Sequence, residues 1–221
     1  MPVRHYAKKV GESTREVILK KANEIINRTG VVDFRIEALA TALNLSPGNI
    51  TYHFPKKDDI ISAIWQNYLS EIEVMAEEVV TPLLDIKQLF LLCRNLSVKT
   101  LSYVGVVVHY YGDIGVLIRD NEFYNAQVQT ARTSLFAVYN VLAINGLMRP
   151  IEDPILKELT LEAQLMPLRW WINHAMLKGD MDSAASRLDN YMAVSIYPLT
   201  PYLTPEGRSQ FDSILKVIKS L

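Results

Sequence analysis

"LSPGNITYHFPKKDDI", Leu45–Ile60, sets Pro47, Gly48 and Pro55 inside a chain that otherwise keeps helical spacing almost throughout. Proline and glycine break a helix in its interior, so their placement must mark ends. Ser46 has the side chain of an N-cap, and Pro47 suits the first helical position, where a missing N–H costs nothing. A helix therefore starts here. It is short, because the residue before Pro55, Phe54, is pushed toward extended backbone. Ile50 and Phe54 face a core, which leaves Gly48, Asn49, Thr51 and Tyr52 on the outer side.

Upstream, Ile36, Leu39, Ala40 and Leu43 fall at i, i+3, i+4 and i+7, an amphipathic helix that ends at Asn44, a residue tolerant of the left-handed turn. Further back, "STRE" at Ser13–Glu16 reads as a capping box, and the helix it opens buries Ile18, Ala22 and Ile25 before stopping at Gly30. Downstream, a long helix begins near Lys57 and runs through Ile61, Ile64, Trp65, Tyr68, Ile72, Met75, Ala76 and Val79 to Thr81–Pro82. Beyond it the spacing predicts helices over 85–101, 103–119, 122–145, 154–178 and 182–197, with a last one after "LTPEG". No strand alternation and no repeat of 20–50 residues stands out. The fold class is all-α: a three-helix head over residues 1–57, joined by a long fourth helix to a larger helical unit over residues 58–221.

Three helices with a tight turn between the second and third form a helix-turn-helix, whose third helix enters a DNA major groove. Short polar side chains and a glycine on its outer face suit that role. Asn49 and Thr51 can address base edges, and Gly48 lets backbone approach. Tyr52 and His53 have polar tips able to reach phosphate, although His53 serves equally as a structural histidine under the turn. Lys57 can hold a phosphate with the free amides at the start of its helix. The net charge of -1 hides an asymmetry: residues 1–60 carry ten Lys and Arg against seven Asp and Glu, a net +3, and the rest carries -4. A basic head suits an anionic partner, and Lys8 and Lys9 are either a solvated tail or a basic arm.

On these residues, "GVVDFRIEALATALNLSPGNITYHFPKKDDI", Gly30–Ile60, resembles the DNA-binding domain of the TetR/AcrR family of transcriptional regulators. Leu39 and Ala40 supply the family's apolar–Ala pair, and His53, Phe54 and Lys57 the end of its motif. Three positions depart from the pattern. Asn44 stands for the turn glycine. Thr51 stands for a tyrosine, so the phosphate contact expected there is lost or moves to Tyr52. Arg35 stands for a threonine; it can still reach phosphate, with the helix cap shifted to Asp33. The resemblance implies a homodimer on a palindromic double-stranded operator, dimerising through helices at about 154–197, and most often repression. It also implies a small, largely apolar effector in the body, with DNA contacts from Arg35, Ser46, Gly48, Asn49, Thr51, Tyr52, His53 and Lys57.

In the body, "SYVGVVVHYYGDIGVLI" places His109 four residues before Asp113 among Tyr103, Tyr110 and Tyr111. Such a segment lines a ligand pocket or is a core helix whose His109–Asp113 pair satisfies itself. "MPLRWWINH", Met166–His174, lines a pocket or a helix–helix interface, with ordinary packing expected for at least one of Trp170 and Trp171. The candidate effector residues are Trp65, Tyr68, Tyr103, His109, Tyr110, Asp113, Phe136, Gln164 and Trp170. Two rival readings have the body dock a protein partner, or have His109 and Asp113 act as an acid–base pair. No nucleophile elbow, P-loop or dinucleotide fingerprint supports an enzyme, and no cofactor is expected. His109 and His174 lack metal-ligand spacing, so no metal is expected. The lone Cys93 permits no intrachain disulfide. With no secretory signal and no apolar run of membrane-spanning length, a soluble cytoplasmic protein is expected.

Overall fold

The capping box forms as the sequence dictates: the Ser13 amide donates to Glu16 Oε2 at 2.6 Å, and Ser13 Oγ accepts from the Glu16 amide. It opens α1 (Thr14–Asp33) in a computed structural model that describes residues 13–77, 81–112, 121–177 and 187–220. Gly30 breaks the helix at φ 76°, ψ 165°, but three more residues wind into a last turn. The reason is apolar: Val31 and Phe34 are buried against the head and hold that turn. Next come α2 (Ile36–Leu43) and α3 (Pro47–His53). Asn44 between them is left-handed at φ 56°, ψ 42°, as its residue type allows. Phe54 is extended before Pro55, and α4 (Lys57–Glu77) follows.

The body is built from α5 (Ile86–Leu101), α6 (Val104–Gly112), α7 (Asn121–Ile144), α8 (Pro154–Leu177), α9 (Leu188–Ile196) and α10 (Pro205–Lys219). No strand occurs among the described residues. Pro167 sits inside α8 and removes one backbone hydrogen bond, yet the helix continues because Leu165, Trp171 and Ile172 are buried on either side of it. No single helix among the described residues is long and apolar enough to cross a membrane. The apolar pair α5 and α6 turns by 98° at Ser102–Tyr103 and packs into the core.

That corner is where head and body meet. One buried apolar cluster runs from Ile18 and Ile26 of α1 through Val106 and Val107 of α6 to Phe211 of α10. Asn23 and Asn27 of α1 both donate to the Ser102 carbonyl at 2.8 Å, and Asn27 Oδ1 accepts from the Gly105 amide at 2.9 Å. A side chain thus supplies partners that the helix ends at the corner lack. Gly105 is there because nothing larger fits: a Cβ would lie 2.5 Å from the Ile26 carbonyl oxygen.

Candidate nucleic-acid interface and body cleft

Ser46 Oγ accepts from the Asn49 amide at 3.2 Å, and this cap sets the axis of α3. Ile50 and Phe54 are buried and fix its inner face, while Ser46, Gly48, Asn49, Thr51 and Tyr52 are exposed, Tyr52 to 84%. Thr51 Oγ1 donates to the Gly48 carbonyl at 3.2 Å, within the helix. A Cβ on Gly48 would meet only Ser46 Oγ, at 3.7 Å, an ordinary contact. The fold therefore does not require glycine there. His53 is half-buried with its ring edge-on to Tyr52, the centroids 5.2 Å apart.

Arg35 is the N-cap residue of α2 and makes no side-chain cap bond; its guanidinium turns back to the Val32 carbonyl at 2.6 Å and the Phe34 carbonyl at 3.0 Å. The expected shift of the cap to Asp33 does not occur, because Asp33 is spent in the last turn of α1. Lys57 reaches the same Val32 carbonyl at 3.3 Å. Burial and then the Arg35 charge hold its ammonium pKa below the usual value, while Asp58 and Asp33 oppose the shift. The Lys56 amide is already taken by Asp59 Oδ2 at 2.8 Å, so it is not free for an anion. Sequence reasoning missed Arg15, whose guanidinium lies 4.8 Å over the Phe54 ring at the end of α3. Lys8, Lys9 and Asp113 lie outside the described residues.

In the body, two adjoining compartments of about 160 Å³ each share the walls Leu69, Ile72, Leu96, Ala131, Leu165 and Leu168. One is finished by Tyr68, Ser97, Thr100, Tyr111 and Arg169. The other is finished mostly by apolar side chains and Cys93, with Thr130, Ser134, Glu73 and Glu77 also at its wall. Of the candidate effector residues, Tyr68 forms part of this cleft. Trp65 packs behind it, stacked on Tyr110 at 4.4 Å. Tyr103 donates to Glu71 at 2.7 Å, and Glu71 also pairs with Lys99. His109 is half-buried against the edge of Tyr110. Phe136 lies beneath the Lys157 ammonium. Gln164 is fully buried and accepts from the Tyr139 hydroxyl at 2.5 Å, and Trp170 is 41% exposed near Tyr111. The apolar walls were not singled out from sequence, since their spacing is that of any core helix. Among the described residues no group of His, Cys, Asp and Glu is arranged to hold a metal ion.

Burial gives the body a pH signature. It pushes the Cys93 thiol up to about 12 and raises the phenols of Tyr68, Tyr103 and Tyr139, with the Glu71 hydrogen bond adding to the effect on Tyr103. Each group favours its neutral, protonated form in the fold. Above the unfolded value of 9.0 for the thiol and 10.0 for the phenols, the unfolded chain releases protons that the native chain retains. Stability is therefore fully present below that window and falls as pH rises through it. Urea midpoints should hold up to about pH 8 and drop clearly by about pH 10.5; a flat profile would refute the burial of these neutral groups.

Residues 18–64 match the family model described as bacterial regulatory proteins, tetR family. Among curated proteins no match to the chain is found. A TetR-family transcriptional regulator from Marinobacter aquaeolei VT8 superposes with a TM-score of 0.76 at 22% identity, covering 95% of this chain and 98% of that one. SmeT, the repressor of the Stenotrophomonas maltophilia multidrug efflux pump SmeDEF, does so with a TM-score of 0.64 at 14% identity over 89% and 93%. A TetR transcription regulator from Haloarcula marismortui gives 0.69 at 18% identity over 86% and 98%. These likenesses establish a shared fold. Residues 18–64 thus carry the helix-turn-helix of the tetR family of bacterial regulatory proteins, and the whole chain shares the fold of these solved structures.

Proposed function

We propose that the protein represses transcription as a homodimer on a palindromic operator and is released by a small, largely apolar effector. In this reading residues 1–57 read DNA, and residues 58–221 dimerise and hold the effector. The observation that carries it is the outer face of α3, where Gly48, Asn49, Thr51 and Tyr52 stand exposed over a sealed inner face. Beside it, Arg35 and Lys57 crowd one carbonyl and repel each other. A DNA phosphate at that point relieves the repulsion.

Two heads must sit about 34–36 Å apart to meet successive grooves, which requires a dimer. On α8, Ile155, Leu159, Met166, Trp170 and Leu177 are exposed at helical spacing, and Val194 and Tyr197 are exposed on or beside α9. An apolar stripe of that extent supports a second copy as its cover. The apolar-walled cleft supports a small-molecule effector over a docked protein partner, and SmeT, a protein of this fold, has been solved in complex with triclosan. The effector acts by binding one head spacing better than the other.

The test is titration of the purified protein against its own upstream DNA. Saturable binding that weakens steeply with salt is expected, and its absence would remove the reading. Lys57→Ala should weaken all sequences by a similar factor and reduce the salt slope by about one. Asn49→Ala or Thr51→Ala should instead change which base is preferred, at about 1–3 kcal/mol for the affected position. The reverse pattern would mean that α3 reads DNA with a different face.

A further inference from the structure

The hydroxyls of the cleft can be followed proton by proton. Thr100 Oγ1 donates its one proton to the Leu96 carbonyl at 3.0 Å, since a carbonyl can only accept. The 3.1 Å contact between Tyr68 and Thr100 must then use the proton of Tyr68. Ser97 Oγ donates to the Met192 thioether at 3.1 Å. All three side chains line the same compartment, and all three turn their protons into the wall. What they show the cleft is oxygen lone pairs, which an entering molecule can satisfy only by donating. Arg169 lines the same compartment and would attract a carboxylate, but an anion entering this largely apolar space gives up its hydration and meets three hydroxyl oxygens that show it only lone pairs, while Glu73 and Glu77 line the adjoining compartment.

We propose that the cleft selects a neutral, largely apolar molecule bearing a hydroxyl group, an alcohol or phenol, whose O–H donates to the phenolic oxygen of Tyr68. This rests on the reading of the cleft as the effector site. The apolar body fills the adjoining compartment, finished by Leu89, Leu92, Leu135 and Val138, and the hydroxyl enters the compartment of Tyr68, Ser97 and Thr100. An ether of the same shape brings only an acceptor and leaves those oxygens facing another oxygen. An unpaired buried acceptor lowers affinity more than a made bond raises it.

Calorimetric titration of the full chain with para-butylphenol, para-butylanisole and para-butylbenzoate tests this. The phenol should bind about fivefold to tenfold tighter than the anisole, with the benzoate weakest. In Tyr68→Phe the phenol–anisole gap should close, while anisole affinity changes by less than about twofold, because the apolar walls stay intact. In Thr100→Val the Tyr68 proton loses its acceptor and turns to the cleft, so the anisole should gain on the phenol. Ala131→Trp fills the shared wall and should abolish binding of all three. Equal binding of phenol and anisole, tightest binding of the benzoate, or a gap that survives Tyr68→Phe overturns the hydroxyl selection and leaves the effector cleft standing. No heat from any of the three, or binding untouched by Ala131→Trp, overturns the cleft reading and this proposal together.

Discussion

Gly105→Ala is expected to destabilise the protein by about 3 kcal/mol, the upper part of the usual overpacking range, and to lower its melting temperature by roughly 5–10 °C. The added methyl would stand 2.5 Å from the Ile26 carbonyl oxygen, 2.7 Å from its carbon and 2.7 Å from Cγ2. Two of these three atoms are backbone, so no rotamer change relieves them. The helices α1 and α6 must separate, and the Asn27–Gly105 bond at 2.9 Å lengthens with them. Ile26→Ala removes only the Cγ2 contact and therefore should not rescue the double variant. Under the proposed dimer the same shift tilts each head against its body, and operator affinity should fall by about tenfold. Calorimetric melting and operator titration read the two effects, and an unchanged melting temperature would show that the helices do not meet this closely.

The second large effect concerns assembly. Met166→Glu combined with Val194→Glu should convert the proposed dimer to monomer at micromolar concentration. Both side chains are exposed in the single chain, at 63% and 55%, so the fold of each protomer should survive and far-UV circular dichroism should not change. In a dimer covering this stripe the four carboxylates would be desolvated beside like charges, which costs several kcal/mol. Operator affinity should drop by at least about a hundredfold, because two linked heads bind with an effective concentration that single heads lack. Sedimentation equilibrium decides the matter. A parent protein that sediments as a monomer, or a variant that still sediments as a dimer, would place the interface elsewhere.

The head was legible in the sequence because short-range rules govern it. Ser13 with Glu16, Asn44, Ser46 with Pro47, and Phe54 before Pro55 each act within a few residues, and each does in the structure what its chemistry implies. The extra turn after Gly30 was not legible, since it depends on burial of Val31 and Phe34 by distant residues. Asp33 looked like a cap from its residue type, but that turn had already claimed it. The cleft was hidden for a different reason. Leu69, Ile72, Leu96 and Leu165 have the spacing of ordinary core, and only the packing of α4, α5, α7 and α8 leaves space between them. The aromatic candidates drew the eye, yet Trp65 and Tyr110 satisfy each other face to face. Residue type signals affinity for a cavity wall; it does not say which wall.

Asn27 has a consequence for engineering. One carboxamide in α1 donates to the Ser102 carbonyl that ends α5 and accepts from the Gly105 amide near the start of α6. The reading head is therefore not an interchangeable cassette. A hybrid regulator that grafts this head onto a foreign body keeps the carboxamide and loses both of its partners. It leaves a polar group stranded at the joint and two helix ends without caps. A graft that preserves signalling must carry α1 and the α5–α6 corner as one piece, and the seam belongs beyond Gly105, not after Lys57.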